Sequence, residues 1–130
     1  MIVAGEIQAA IYEALSTAQC CHGRIYDTVP ETFSFPYHLI GDEQVIDDSS
    51  MCGGSNDVFC DIHTYSRPDT GSRAEVKALR RRAHDAIMAI SHIEGFRLIG
   101  VFLETARNVT DPDNVTKHDI MTFKFQISEA

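Results

Sequence analysis

The last segment of the chain alternates strictly between apolar and polar residues. Met121, Phe123, Phe125 and Ile127 occupy every second position, and polar residues stand between them. Successive side chains of a β-strand point to opposite faces, so this period of two predicts a strand with one buried face. The large apolar side chains on that face are expected to form part of the hydrophobic core.

Three other segments are also predicted to be extended. Residues 58–65 alternate in the same way, with Cys60 on the apolar face and His63 on the polar face. Residues 24–30 form a short extended piece that ends at a proline. Residues 36–41 begin with a proline, which suits the first position of a strand because no ladder donor is needed there.

The segments around these strands predict their connections. Residues 96–103 are apolar on both faces, which predicts the start of a long, central strand that a helix covers on one face. Residues 110–114 read Thr-Asp-Pro-Asp-Asn, a strong turn signal. Residues 42–57 are polar, and their end is predicted to be a loop that joins an antiparallel pair, with residues 44–46 able to extend the strand before it.

Two segments carry apolar residues at steps of three and four, which is the period of an α-helix. The first covers about residues 2–18 and the second about residues 73–91. Ser72 and Glu75 have the spacing of a capping box and are predicted to open the second helix. The apolar stripes consist of Val3, Ile7, Ala10, Ile11, Ala14 and Leu15 in the first helix, and of Val76, Leu79, Ala83, Ala86, Ile87 and Ile90 in the second.

The order of these elements indicates the fold class. A helix is followed by strands, then a helix, then strands, and short turns connect neighbouring strands. This order predicts an α+β fold, in which two principal α-helices pack on a mainly antiparallel β-sheet. The 130 residues, 44% of them hydrophobic, are enough for one core, so residues 1–130 are predicted to form a single domain.

The overall charge and the N-terminal residues restrict the surroundings of the protein. The formal net charge is −8, which argues against a surface built throughout to bind phosphates. No segment has the roughly 18 consecutive apolar residues of a membrane span. The first residues show no basic region followed by an apolar run, so we expect no secretory signal. We expect assembly in the cytoplasm, no membrane association and free thiols.

The cysteines and histidines raise the question of a metal site. Cys52, Cys60 and His63 are close in sequence, and Cys20–His22 is a second cluster of soft ligands. No Cys-x-x-Cys pair is present, and the odd spacing of Cys60 and His63 places them on opposite faces of a strand. The interpretation favoured here is buried cysteines and a solvent-facing histidine, with no bound metal.

The sequence offers no pattern that points to catalysis or to a cofactor. Cys, His and Asp are all present, but no motif places a nucleophile at a sharp turn or a helix start beside a base. Gly53-Gly54-Ser55 lacks the spacing of a phosphate-binding loop. We predict no catalytic residues and no cofactor, and therefore no enzyme.

Opposite charges are separated along the chain. The segment 42–61 contains acidic residues and no Lys or Arg, whereas the segment 73–82 is basic except for Glu75. Two patches of opposite sign on one subunit can meet across a head-to-tail interface, although a solvated helix face beside an acidic loop is also consistent with the pattern. The residues predicted to form a subunit or partner interface are Asp42, Glu43, Asp47, Asp48, Arg73, Lys77, Arg80, Arg81 and Arg82.

Several short motifs in one order resemble a known family. Residues 24–30 read Arg-Ile-Tyr-Asp-Thr-Val-Pro, and residues 36–41 read Pro-Tyr-His-Leu-Ile-Gly. Residues 62–67 read Ile-His-Thr-Tyr-Ser-Arg, and Lys117-His118 precedes the last strand. With Asp111-Pro112-Asp113 before that strand, this order and spacing resemble the phage tail completion proteins, which are similar to tail terminators of long-tailed phages and gene transfer agents. The cysteines and the long loop after Asp42 depart from the family pattern.

The resemblance implies a structural protein of a virion tail that is assembled in the cytoplasm of a bacterial host. It implies a homo-oligomeric ring, commonly a hexamer, at the head-proximal end of the tail tube. The ring would end tube polymerisation, contact the tail tube protein and the head–tail connector protein, and let DNA pass through its lumen without specific binding. Two alternatives stay open: a head–tail connector or neck protein of similar fold, and a nucleic-acid-binding module that uses the basic helix at 73–82.

Overall fold

A computed structural model describes residues 2–48 and 54–130 of the chain. Its order of elements is helix, three strands, helix and two strands, as the sequence predicts. A short helical turn at Cys20–Gly23 follows the first helix. The elements are α1 (Glu6–Thr17), β1 (Ile25–Tyr26), β2 (Tyr37–Asp48), β3 (Ser55–Ser66), α2 (Ala74–Met88), β4 (Phe96–Thr110) and β5 (Lys117–Glu129).

The five strands form one sheet in the order β1-β2-β3-β5-β4. Only β1 and β2 run parallel; the other neighbours are antiparallel. Buried apolar residues from both helices, from β3 and from β5 form one cluster, which places the helices on one face of the sheet. The predicted α+β class is therefore confirmed. In the part of the chain that the structure describes, neither helix has the length and apolar character needed to span a membrane.

The alternation of β5 is confirmed by burial. Met121, Phe123, Phe125 and Ile127 are completely buried against the helices, and the residues between them face the other side of the sheet. In β3 the same alternation buries Cys60 and turns the residues at odd positions away. Burial of one such large side chain contributes about 1.5–3 kcal/mol, so these two strands supply much of the core stability.

The strand β4 corrects one prediction. The apolar residues at 96–103 predicted a central strand, but β4 lies at the edge of the sheet, and among the described strands it pairs with β5 alone. The pairing shifts between Leu98 and Gly100 and again between Leu103 and Thr105. Each shift changes which face the following residues occupy, so apolar residues appear on both faces of this edge strand. Its helix side is partly covered, since Phe96 is buried and α2 contacts β4.

The polar stretch at 42–57 forms more strand than predicted. The strand β2 continues to Asp48 and pairs with β3 out to Ser55, which confirms the antiparallel pair and limits the predicted loop. Residues 49–53, which include Cys52, lie outside the described residues.

The start of α2 differs from the predicted capping box. Glu75 does not reach back to the first turn, because its carboxylate accepts a hydrogen bond from the Ser66 hydroxyl of β3. The Ser72 hydroxyl oxygen instead accepts a hydrogen bond from the Ala74 backbone N–H at 3.0 Å. The sequence has the spacing of a capping box, but the Glu75 carboxylate is bonded to the sheet instead.

Three of the cysteines have buried, free thiols. Cys20 and Cys21 lie in the turn after α1, and Cys60 lies in the core of the sheet. Burial raises the pKa of all three thiols, that of Cys21 and of Cys60 to about 12. Cys60 and His63 lie on opposite faces of β3, as their odd spacing predicted. Across residues 2–48 and 54–130, no three His, Cys, Asp or Glu side chains converge so as to hold a metal ion.

Candidate subunit interface

The acidic half of the predicted interface lies along one edge of the sheet. The two-residue strand β1 pairs only with His38 and Leu39, so the rest of β2 has no neighbour among the described residues on its outer side. Asp42, Glu43 and Asp47 are exposed there. Asp48 ends the strand, but its side chain lies outside the description. Three of the four predicted carboxylates therefore lie exposed on this strand edge.

The surroundings of Glu43 on this acidic edge disfavour its charged form. Burial raises the pKa of the Glu43 carboxyl, and the nearby Glu6 raises it further. Glu6 begins α1, where its carboxylate accepts a hydrogen bond from the Ala4 backbone N–H at 2.7 Å. A cation brought to this edge would reduce the repulsion between the two carboxylates.

The basic half lies on α2, but only part of it is free. Arg73 donates a hydrogen bond to the Thr110 hydroxyl at 2.9 Å, and Arg82 donates one to the Ala18 carbonyl oxygen at 2.7 Å. Arg80 forms an ion pair with Asp119 at 2.9 Å. Lys77 and Arg81 are exposed and have no hydrogen bond or ion pair within residues 2–48 and 54–130. These two cations are the ones available to a partner.

Lys77 and Arg81 border a groove between α2 and the edge strand β4. The groove is lined by cations and by His84 on the helix side, and by Leu103 and Ala106 on the strand side, with Met121 at its floor. A helix places residues four apart on one face, which is why both free cations face the same strand. The basic groove therefore runs beside the open edge of β4.

The two patches do not meet within one subunit. The acidic edge belongs to β2 and the basic groove adjoins β4, and two strands of the sheet separate them. The helix α2 contacts β3, β5 and β4. Charges arranged in this way can pair only when one subunit presents its acidic edge to the basic groove of another.

A buried ion pair anchors the helix that carries these cations. Asp119 is completely buried on the helix side of β5 and accepts hydrogen bonds from Arg80 and from the Asn108 side-chain amide. Burial raises the pKa of the Asp119 carboxyl, while Arg80 acts in the opposite direction. Arg80 thus holds α2 against the sheet, which the charge pattern of the sequence could not distinguish from a surface role.

Sequence reasoning also missed a cluster of rings on the open face of the sheet. Tyr65 stacks between Tyr37 and His118, with ring centroids 4.9 Å and 4.2 Å away. His63 Nδ1 lies 2.7 Å from His118 Nε2. The ring of His63 passes over Gly41, where a Cβ would lie 2.7 Å from His63 Nε2. Only the pairing register of the strands brings these residues together, so the sequence spacing carried no signal for them.

The histidine pair is held largely uncharged. Burial lowers the pKa of both His63 and His118, and for His118 the neighbouring His63 lowers it further. Asp111 Oδ1 lies 3.4 Å from His118 Nδ1 and acts in the opposite direction. The pair therefore adds little positive charge to the open face near neutral pH.

The buried His38 gives a test of the strand packing by pH. Burial lowers the pKa of His38 from 6.5 to about 4, and its Nδ1 lies 2.9 Å from the Thr64 hydroxyl. Below pH 6.5 the unfolded chain takes up a proton that the native chain does not, so stability falls as the pH falls. At pH 5 this histidine is expected to cost about 2 kcal/mol of unfolding free energy.

Urea unfolding at pH 7.5 and pH 5 measures this effect. The variant His38→Gln keeps a polar group beside Thr64 and does not titrate, so it should show a smaller loss on acidification than the wild type. The control His92→Gln changes an exposed histidine and should retain the wild-type loss. Equal losses for His38→Gln and the wild type would contradict the assignment.

A family model, one curated relative and a solved structure match this chain. The family model described as tail completion protein gp17 matches residues 4–128. The tail completion protein gp17 of Bacillus phage SPP1 is 28% identical over 95 residues, which are 72% of this chain and 69% of that protein. A chain from the virion of a native gene transfer agent (GTA) particle has a TM-score of 0.84 and 23% identity, and the match covers 97% of both chains. At that identity the likeness shows a shared fold.

Proposed function

This chain belongs to the tail completion protein gp17 family, and we propose that its subunits form a ring that caps the head-proximal end of a phage or phage-like tail tube. As a member of that family it is a structural protein of a virion tail. The proposed ring ends the polymerisation of the tube on one side and offers the surface for joining to the head on the other. Its action is geometric and needs no turnover.

The positions of the two charged patches support the proposed ring. The acidic edge of β2 and the basic groove beside β4 lie at opposite ends of the same sheet. An interface between two different patches of identical subunits is heterologous, and it generates a closed ring when the rotation per subunit closes. Six subunits is the number that the family resemblance leads us to expect.

The overall charge suits a passage for DNA. The net charge of −8 on each subunit multiplies in a ring and repels the phosphates of a duplex. DNA would then pass the lumen without being held there. The alternative of a nucleic-acid-binding helix has less support, because Arg73, Arg80 and Arg82 already contact groups of their own chain.

Removal of the protein tests the proposed function directly. In the host that produces the particle, deletion of its gene is expected to give tail tubes that grow beyond their normal length and do not join heads. Electron microscopy of the lysate measures both outcomes, and expression of the wild-type chain from a plasmid should restore both.

A head–tail connector predicts a different result from the same deletion. Tails of normal length that lack heads would favour a connector role and contradict the capping role. Complete particles with normal tails would reject both assignments.

A further inference from the structure

We infer that neighbouring subunits of the ring join strand to strand, with the acidic outer edge of β2 in one subunit lying along the β4 edge of the next. The inference rests on the proposed ring and names its interface. The partner is a second copy of this chain, and the paired side chains are Glu43 and Asp47 of one copy with Lys77 and Arg81 of the other.

Both strand edges have backbone groups free for pairing. The strand β4 pairs with β5 on one side only, over residues Phe96–Thr110. On the outer side of β2, no strand of the described residues pairs beyond the two residues that β1 covers. An uncovered strand edge carries a row of unpaired N–H and C=O groups, which is a template for pairing with another chain. A sheet with two such edges can extend from one subunit to the next.

The side on which the charges lie agrees with this arrangement. Glu43 is paired with Cys60 and Asp47 with Asn56, and both of those β3 residues are buried on the helix side of the sheet. The two carboxylates therefore also stand on the helix side. Lys77 and Arg81 lie above the helix side of β4. If the sheets of two subunits join with their helix sides facing the same way, these carboxylates of one subunit meet these cations of the next.

Apolar residues on the opposite face match as well. Ile46 is paired with Asp57, which lies on the open face, and its side chain is 46% exposed. Phe102 is paired with Lys124 on that open face and is 45% exposed. Pairing of the two edges would place both side chains on the open face along the junction, where burial of apolar area favours association.

The electrostatics of the β4 edge are suited to an acidic strand. Arg97 and Arg107 are exposed on β4 itself, and Glu104, its one carboxylate, lies 3.7 Å from the Lys124 ammonium. The β2 edge carries carboxylates and no Lys or Arg. Opposite potentials at two edges select the unlike pairing and disfavour pairing of either edge with itself, since like charges would then face each other.

Matched charge reversals on α2 test the interface. Arg81 borders the groove beside β4, whereas the next residue, Arg82, faces the turn at Cys20–Gly23. Light scattering across concentration at about 50 mM salt, where charges are little screened, measures the oligomer mass. We expect Arg81→Glu to raise the concentration at which the oligomer dissociates at least tenfold. The neighbouring Arg82→Glu, with the same change of charge, should dissociate like the wild type.

A compensating variant makes the test specific to the pair of edges. The double variant Arg81→Glu/Asp47→Arg exchanges the signs across the junction and should recover most of the lost association. Equal effects of Arg81→Glu and Arg82→Glu, or a double variant weaker than Arg81→Glu, would overturn the inference. So would a wild-type chain that is monomeric at every concentration. The capping function is judged separately by tail length in the gene deletion.

Discussion

Replacement of Phe123 by asparagine is expected to be the most damaging single change in the chain, lowering the free energy of unfolding by about 4 kcal/mol or more. Phe123 is completely buried in the middle of β5, opposite Cys60 on one side and Leu103 on the other. The change removes a large ring from the core and leaves a polar amide there. Loss of such a ring alone costs about 3–5 kcal/mol, and an unpartnered buried polar group adds about 1–3 kcal/mol.

Urea unfolding followed by circular dichroism measures the loss, and the chain offers a matched control. Phe102→Asn makes the same substitution one strand away, on the open face of β4 where the ring is 45% exposed. It is expected to cost less than about 1 kcal/mol, as surface substitutions usually do. Similar losses for the two variants would show that the faces of β4 and β5 are assigned wrongly.

Replacement of Arg80 by alanine is expected to cost about 3 kcal/mol at pH 7, because it leaves the buried Asp119 carboxylate without its cation. Asn108 would remain as a donor to that carboxylate. The Arg80 side chain is 30% exposed, so water can replace part of the lost interaction, and the cost stays at the lower end for a buried pair. In the dissociated subunit, the control Arg81→Ala changes an exposed cation without a partner within the described residues and should be close to neutral.

The pH dependence identifies the cause of that loss. Burial already raises the native pKa of Asp119, and removal of Arg80 takes away the charge that lowers it. A raised native pKa means that the native state holds a proton more readily than the unfolded state, so acidification favours the native state. The deficit of Arg80→Ala relative to the wild type should therefore shrink as the pH falls from 7 to 5. A deficit that is constant over this range would point to lost packing of the arginine stem instead.

The predictions from sequence succeeded where burial on one face controls the pattern. The alternation at Met121–Ile127 and the apolar stripes of the two helices reflect contact with one core, so periodicity alone identified them. It failed for β4, because two irregular pairings change the face that successive residues occupy and the strand edge is uncovered. The same apolar residue type can stand on an open strand edge or in a core. Periodicity cannot separate the two without the order of the strands.

The candidate interface was predictable only as a pair of charged segments. The sequence identified the acidic and basic segments but not their separation across the sheet, which depends on strand order. It also could not show that Arg80 is committed to Asp119, since these residues are 39 positions apart. The ring cluster of Tyr65 and His118 depends in the same way on the register between β3 and β5. A single sequence does not show which distant segments pair in the sheet.

The burial of three thiols affects how readily they react when the redox environment changes. Only a thiolate attacks a disulfide or an oxidant readily. Cys20, Cys21 and Cys60 are withdrawn from solvent and are protonated throughout the range of natural waters, because burial raises the pKa of each thiol. We therefore expect these three thiols to react slowly with disulfides and oxidants. The covalent structure at these three positions is accordingly expected to be the same in reducing and in oxidising surroundings.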